Sequence, residues 1–256
     1  MRKYGQHFLI NQRVIEGIVA AVPPQARQVV EIGPGQGALT QKLLLHHAAH
    51  LTLVEIDPQM QAYLLTHWPA LAGHMVLADF LKFDLAALPA EPTFFVSNLP
   101  YIDAAEILDK VLSWPYFDGA VFMFQKEQAQ RILAPSGAAG YGPLSVLSQL
   151  RAEIKPLLKV GKACFNPPPK VESLVLTFTK KQTPFATAEE YRRFARLVQA
   201  AFAHKRKTLY NSLVLSGYDK AAVTEALQAA KLAPQVRAET VPLAAFLQLN
   251  TQLVRP

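Results

Sequence analysis

The stretch that most constrains the fold is Val30-Glu31-Ile32-Gly33-Pro34-Gly35-Gln36-Gly37-Ala38, an apolar run that breaks into alternating glycines before a helical pattern begins. Glycines at this spacing let backbone approach a ligand closely and let a helix N-terminus face it. The same alternation of short β-rich runs and amphipathic stretches continues downstream. Residues 29–32, 51–56, 75–78, 93–97 and 120–124 read as strands, with helical spacing over 39–45 and 104–112 among the intervening segments. That order predicts a parallel sheet covered by helices.

Ahead of the sheet, Val14, Ile15, Ile18, Val19 and Val22 recur at helical spacing behind Asn11, a suitable N-cap, and Pro23-Pro24 ends the helix. After it, 152–160 and 173–179 read as two further strands joined by the proline-rich 165–169. From Thr183-Pro184 onward only helical spacing remains, over 187–203, 205–215, 219–230 and 242–253, with Pro242 placed as a first-turn proline. The expectation is a domain of residues 1–182 followed by a smaller all-α domain of residues 183–256.

With 256 residues and 51% hydrophobic content the chain can bury a large core. No apolar segment approaches the ~20 residues needed to span a bilayer, and Met1-Arg2-Lys3-Tyr4-Gly5 lacks the apolar core of a signal peptide. A cytoplasmic protein that makes no membrane contact is the expectation. Cys164 stands alone, which excludes an intrachain disulfide. Charge is uneven: residues 1–150 hold 9 Lys and Arg against 12 Asp and Glu, whereas residues 151–256 hold 17 against 7. Clustered cations gain affinity by releasing counterions from phosphates, so a polyanion partner is expected.

Three acids lie at or near the strand ends. Gly33, Gly35 and Ala38 satisfy the dinucleotide pattern, and Glu55 ends the next strand where an acid would hold ribose hydroxyls. That pattern alone leaves NAD and other adenosine cofactors open. Glu31, directly ahead of the glycines, suits a cationic amino acid portion better than a pyrophosphate, which a further carboxylate would repel. Asp79, after the third strand, is placed to accept from an adenine amine. Both details favour S-adenosylmethionine. The run 93–97 then delivers Asn98-Leu99-Pro100-Tyr101 to the rim of the sheet. The Asn98 side-chain oxygen and a proline-bent backbone carbonyl pair as acceptors for the two hydrogens of an exocyclic amine, and Tyr101 can stack on the ring that carries it.

Taken in order, Lys3-Tyr4-Gly5-Gln6-His7-Phe8-Leu9, residues 30–40, Asn98-Leu99-Pro100-Tyr101, Phe124-Gln125-Lys126-Glu127, Gly140-Tyr141-Gly142-Pro143-Leu144-Ser145-Val146, Phe165-Asn166-Pro167-Pro168-Pro169-Lys170-Val171 and Arg206-Lys207-Thr208-Leu209-Tyr210-Asn211-Ser212-Leu213 resemble the rRNA adenine N6,N6-dimethyltransferase family, most of all its small-subunit branch. The resemblance implies an α/β, Rossmann-like methyltransferase domain with a C-terminal helical domain, S-adenosylmethionine as methyl donor, and small-subunit rRNA in an immature ribosomal subunit as partner of a monomeric enzyme. It implies that His7 and Leu9 line the cofactor pocket, Gly33 contacts the methionine portion beside Glu31 and Gly35, Glu55 holds ribose and Asp79 adenine. Asn98, Leu99, Pro100 and Tyr101 then form the catalytic motif, Asn98 bordering the cofactor, with Phe165 stacking on the other face of the base.

His204-Lys205-Arg206-Lys207, with Arg192, Arg193 and Arg196, are candidates for phosphate contacts. His46, His47 and His50 include an i, i+4 pair, but no carboxylate or cysteine is patterned beside them, so they read as a solvated helix end and no metal is expected. One segment departs from the family pattern. After Tyr101 the family leads to Asn, Ile and a hydroxyl residue ahead of Pro, whereas this chain has Ile102-Asp103-Ala104-Ala105-Glu106, with Asp103 able to cap the following helix. The alternatives left open are the same chemistry on large-subunit rRNA, a non-catalytic RNA-binding assembly factor on this fold, and NAD-linked oxidoreduction.

Overall fold

The structure is a computed structural model that describes residues 7–253. Lys3, Tyr4, Gly5 and Gln6 of the first family segment, with Arg2, lie outside the described residues. The chain divides into two compact units, one of residues 1–129 and 152–180, the other of residues 130–151 and 181–256. The division departs from the expected boundary at residue 182, because 130–151 belongs with the C-terminal helices.

The first unit contains β1 (Phe8–Leu9), α1 (Gln12–Val19), β2 (Gln28–Ile32), α2 (Thr40–His47), β3 (Leu51–Glu55), α3 (Pro58–His67), β4 (Met75–Leu77), β5 (Thr93–Asn98), α4 (Ala104–Ser113) and β6 (Phe117–Gln125). The division falls within α5 (Lys126–Leu133); α6 (Pro143–Arg151) lies in the second unit, and β7 (Ala152–Val160), β8 (Phe165–Asn166) and β9 (Ser173–Lys180) return to the first. Seven strands form one sheet in the order β4-β3-β2-β5-β6-β9-β7. The five strands from β4 to β6 are parallel, as the alternation predicts. The two further strands extend this sheet, with β9 entering antiparallel between β6 and β7. No crossover helix is needed, since the connection 161–172 joins antiparallel neighbours and holds only a 3₁₀ turn and β8.

Buried strands explain the sheet. All five residues of β2 are buried, and Phe95, Val96, Val121, Phe122 and Met123 are fully enclosed. Helix α1 presents Ile15, Ile18 and Val19 to this core, and Asn11 caps it by accepting from the Val14 N–H at 3.1 Å. Phe122 packs against the rings of Phe124 and Phe178 at 6.2 and 5.8 Å between centroids. Phe122→Ala is expected to lower unfolding stability by about 3–5 kcal/mol, read as a shift in the urea midpoint.

The second unit adds α7 (Ala188–Phe202), α8 (Leu209–Leu215), α9 (Lys220–Ala229) and α10 (Leu243–Gln252) to α6. Its starts are capped by sequence signals: Thr187 and Glu190 form a capping box, Thr208 accepts from the Asn211 N–H, and Asp219 accepts from the Ala222 N–H. Helix α8 therefore begins at Leu209 and not at residue 205. Val146 and Leu150 of α6 share a core with Phe194, Leu197, Leu213, Val223 and Phe246. Tyr141 ties the unit's two segments by donating to the Val241 carbonyl at 2.8 Å.

Candidate active site

A cavity of about 830 Å³ opens at the carboxyl ends of β2, β3 and β5. Its floor is the glycine turn. Gly33 and Gly35 adopt φ of 64° and 55°, a region that side chains disfavour, and the Gly33 N–H donates to the Val54 carbonyl at 2.9 Å. A Cβ on Gly33 would meet nothing within 4 Å, so the backbone there borders open space; one on Gly35 would press on the Phe8 ring at 3.2 Å. Glu55 shapes this turn. Its Oε2 accepts from the Gly35 N–H at 3.0 Å and its Oε1 from the Asp57 N–H at 2.8 Å. Burial raises its carboxyl pKa, with the Asp57 and Gly35 N–H groups acting in the opposite sense. Each oxygen has acceptor capacity beyond these bonds, which suits a pair of vicinal hydroxyls.

Glu31 is 2% exposed and lines the same cavity. Burial pushes its carboxyl up to about 8, opposed by the hydrogen bond from the Thr40 hydroxyl to Oε2 at 2.7 Å and assisted by the nearby charge of Glu55. A buried carboxyl of this kind gains most from a cation brought beside it. At the other end, Asp79 lines the cavity with Phe80 and Leu81, while Ile56 adds an apolar surface. Oδ1 of Asp79 accepts from the Leu81 N–H at 2.9 Å, and Oδ2 is 3.9 Å from Lys82 Nζ. Two carboxylates, a glycine turn, and apolar walls around a third carboxylate form a donor and acceptor set that fits an adenosine bearing a cationic amino acid portion.

Asn98 is the last residue of β5. Its Nδ2 donates to the His7 carbonyl at 3.3 Å, and among the described residues its Oδ1 has no donor. The neighbouring Ser97 hydroxyl donates to the Ile32 carbonyl at 2.6 Å and so joins the ends of β5 and β2. Leu99 is buried and hangs from the Met123 carbonyl through its N–H at 3.3 Å, whereas Pro100 is exposed; both line the cavity. The Tyr101 hydroxyl pairs with Ser173 Oγ at 3.0 Å, and its ring stacks with that of His7 at 6.2 Å. His7 is fixed in turn by Nδ1 against the Pro167 carbonyl at 2.8 Å.

Thus His7, Leu9, Glu31, Gly33, Gly35, Glu55, Asp79, Asn98, Leu99, Pro100 and Tyr101 are brought together around one cavity. Phe165 is not. It is 3% exposed, pairs with Leu9 between β8 and β1, and shares a buried cluster with Val160 and Val175. Asp103 occupies the N-cap position of α4, yet its side chain makes no capping bond, contrary to the expected substitution for a hydroxyl. Ile102 lies at the cavity rim and is 94% exposed.

In the helical unit Lys205, Arg206 and Lys207 are exposed in the turn between α7 and α8, where the Lys205 carbonyl accepts from Arg237. Arg192 and Arg196 instead share the Glu189 carboxylate at 2.9 Å each. His47 is buried in α2, which lowers its pKa. No group of three or more potential metal ligands occurs among the described residues.

Sequence reasoning missed Ile56 and Thr40. Ile56 carries a signal, an apolar residue directly after a strand-end acid; Thr40 acts through its hydrogen bond to Glu31, a contact that no local pattern encodes.

Comparison with known proteins bears on the whole chain. The family described as ribosomal RNA adenine dimethylase matches residues 1–254. The ribosomal RNA small subunit methyltransferase A of Syntrophotalea carbinolica is 40% identical over all of this chain and 97% of that protein. Its counterpart in Thiobacillus denitrificans is 42% identical over 83% of each chain. Among solved structures, a dimethyladenosine transferase from Plasmodium falciparum superposes with a TM-score of 0.77 at 24% identity over 96% of this chain and 99% of that one, a likeness of fold. The 23S rRNA methyltransferase ErmE superposes with a TM-score of 0.70 at 28% identity and the same coverage. This chain belongs to the ribosomal RNA adenine dimethylase family.

Proposed function

We propose that this protein transfers methyl groups from S-adenosylmethionine to N6 of adenosines in small-subunit rRNA, two to each base, within an assembling ribosomal subunit. The observation that carries the reading is the Asn98 amide. Its Nδ2 is committed to the His7 carbonyl, so Oδ1 is the atom offered to an incoming amine. When bound, the cofactor supplies an electrophilic methyl on a cationic sulfur, chemistry that the protein need not provide.

The residues orient both partners. Glu55 holds the ribose hydroxyls, Asp79 the adenine amine, and Glu31 with the Gly33 turn receives the amino acid portion. Asn98 Oδ1 and the Leu99 carbonyl accept the two N–H bonds of the target N6, which draws its lone pair out of conjugation and aims it at the methyl. Tyr101, its hydroxyl tethered to Ser173, supports the ring of the target base. Methylation makes the nitrogen strongly acidic, so its proton leaves to water without a dedicated base. Lys205, Arg206 and Lys207 contact phosphates, and a base in a single-stranded loop is extracted at lower cost than one in a duplex.

The test uses immature small subunits from cells lacking the modification, with purified protein and labelled cofactor. Mass spectrometry is expected to find N6,N6-dimethyladenosine in the small-subunit RNA. A mark appearing only in large-subunit RNA would reassign the substrate; RNA binding with no transfer would point to an assembly factor.

A further inference from the structure

The turn that carries Asp79 is clamped by a residue outside the cavity. Lys110 projects from α4, and its ammonium donates to the carbonyls of Phe80, Leu81 and Phe83 at 2.7, 2.9 and 2.5 Å. An ammonium has three N–H donors, so all three are spent on one turn. Its Nζ also lies 5.3 Å from the centroid of the Phe80 ring. Burial lowers the Lys110 pKa, while the charges of Asp79 and Asp84 favour its protonated form. Three converging carbonyl dipoles repel one another unless a cation stands at their focus.

Asp79 closes the turn from its other side. Its carboxylate accepts from the Leu81 N–H, and its carbonyl accepts from the Lys82 and Phe83 N–H groups at 2.9 and 2.8 Å. Asp79, Phe80 and Leu81 line the cavity, whereas Lys110 acts on it from behind. We propose that Lys110 is a positioning residue for the adenine end of the cofactor pocket, holding the 79–83 turn so that the Asp79 carboxylate meets the exocyclic amine. Helix α4 starts three residues beyond Tyr101, so the helix that carries the clamp follows closely on the base-binding motif. This rests on the S-adenosylmethionine reading above.

The test is calorimetric and compares two ligands, S-adenosylhomocysteine and its analogue with hypoxanthine in place of adenine. The wild-type protein is expected to prefer the adenine ligand by about tenfold, the scale of one hydrogen bond to a charged acceptor. In Lys110→Met the adenine ligand is expected to weaken about tenfold and the two ligands to bind within about threefold of each other. Lys110→Arg keeps the charge, but its planar fork cannot satisfy three converging carbonyls, and its discrimination should fall between the two. Lys110→Gln repeats the comparison if the Met variant folds poorly by circular dichroism. A wild-type preference retained in the variants, whether the affinities hold or fall together, overturns the proposal. A wild-type protein that binds neither ligand overturns the cofactor reading itself, and the proposal with it.

Discussion

Asn98→Ala is expected to lower the rate of methyl transfer by about 100- to 1,000-fold, the loss typical of removing one preorganised polar contact to a reacting centre. Single-turnover transfer to immature small subunits, with saturating labelled cofactor, measures the step directly. The side chain has two separable duties: Nδ2 restrains the His7 carbonyl, and Oδ1 is the acceptor offered to the substrate. Asn98→Asp keeps an oxygen at the acceptor position and gives up the donor to His7. A larger loss in Asn98→Ala than in Asn98→Asp would assign the main effect to the acceptor, and equal losses would assign it to the His7 tether.

Glu31 gives the second large effect, a pH dependence of stability that runs opposite to that of an ion-paired carboxylate. Burial raises its carboxyl to about 8, whereas in the unfolded chain it titrates near 4.5. Between these values the folded state keeps a proton that the unfolded chain has released. The contribution of Glu31 to the stability of the ligand-free protein is therefore fullest below pH 4.5, is lost at about 1.4 kcal/mol per pH unit at the steepest as pH rises, and levels off above pH 8. Glu55, raised by burial as well, adds a slope of the same sign. Glu31→Gln should flatten the profile and be relatively more stable than wild type at pH 8, as urea titrations at several pH values would show. A cationic ligand placed beside Glu31 favours the carboxylate, so its binding near neutral pH should release a proton. Calorimetry in two buffers of different ionisation enthalpy counts it, and no buffer dependence would mean that no cation reaches Glu31.

Much of the methyltransferase unit was legible because its signals are local. Asn11 marks the start of α1 through its own side chain, and the apolar runs of β2, β5 and β6 are buried on both faces, as parallel strands require. Glu31, Glu55, Asp79 and Asn98 were legible for a related reason: each lies within two residues of a strand's end, and strand ends of a doubly wound sheet meet at one rim. Phe165 was not, because whether an aromatic faces a cavity or a core is settled by its partner strand, here β1. Asp103 has the composition of a cap, but its side chain makes no capping bond in the structure. Lys110 lay beyond reach because its three acceptors are 27 to 30 residues away along the chain.

The discontinuity of the helical unit has a consequence for anyone wishing to dissect or recombine the protein. Cutting once at residue 182 would leave 130–151 on the first unit, with Tyr141, Val146 and Leu150 parted from Phe194, Leu197 and Phe246. Each fragment would present a newly bared apolar face, and aggregation is the foreseeable result. Exchanging the helical unit between relatives therefore calls for transplanting two segments through three junctions, at 129/130, 151/152 and 180/181, as a single graft.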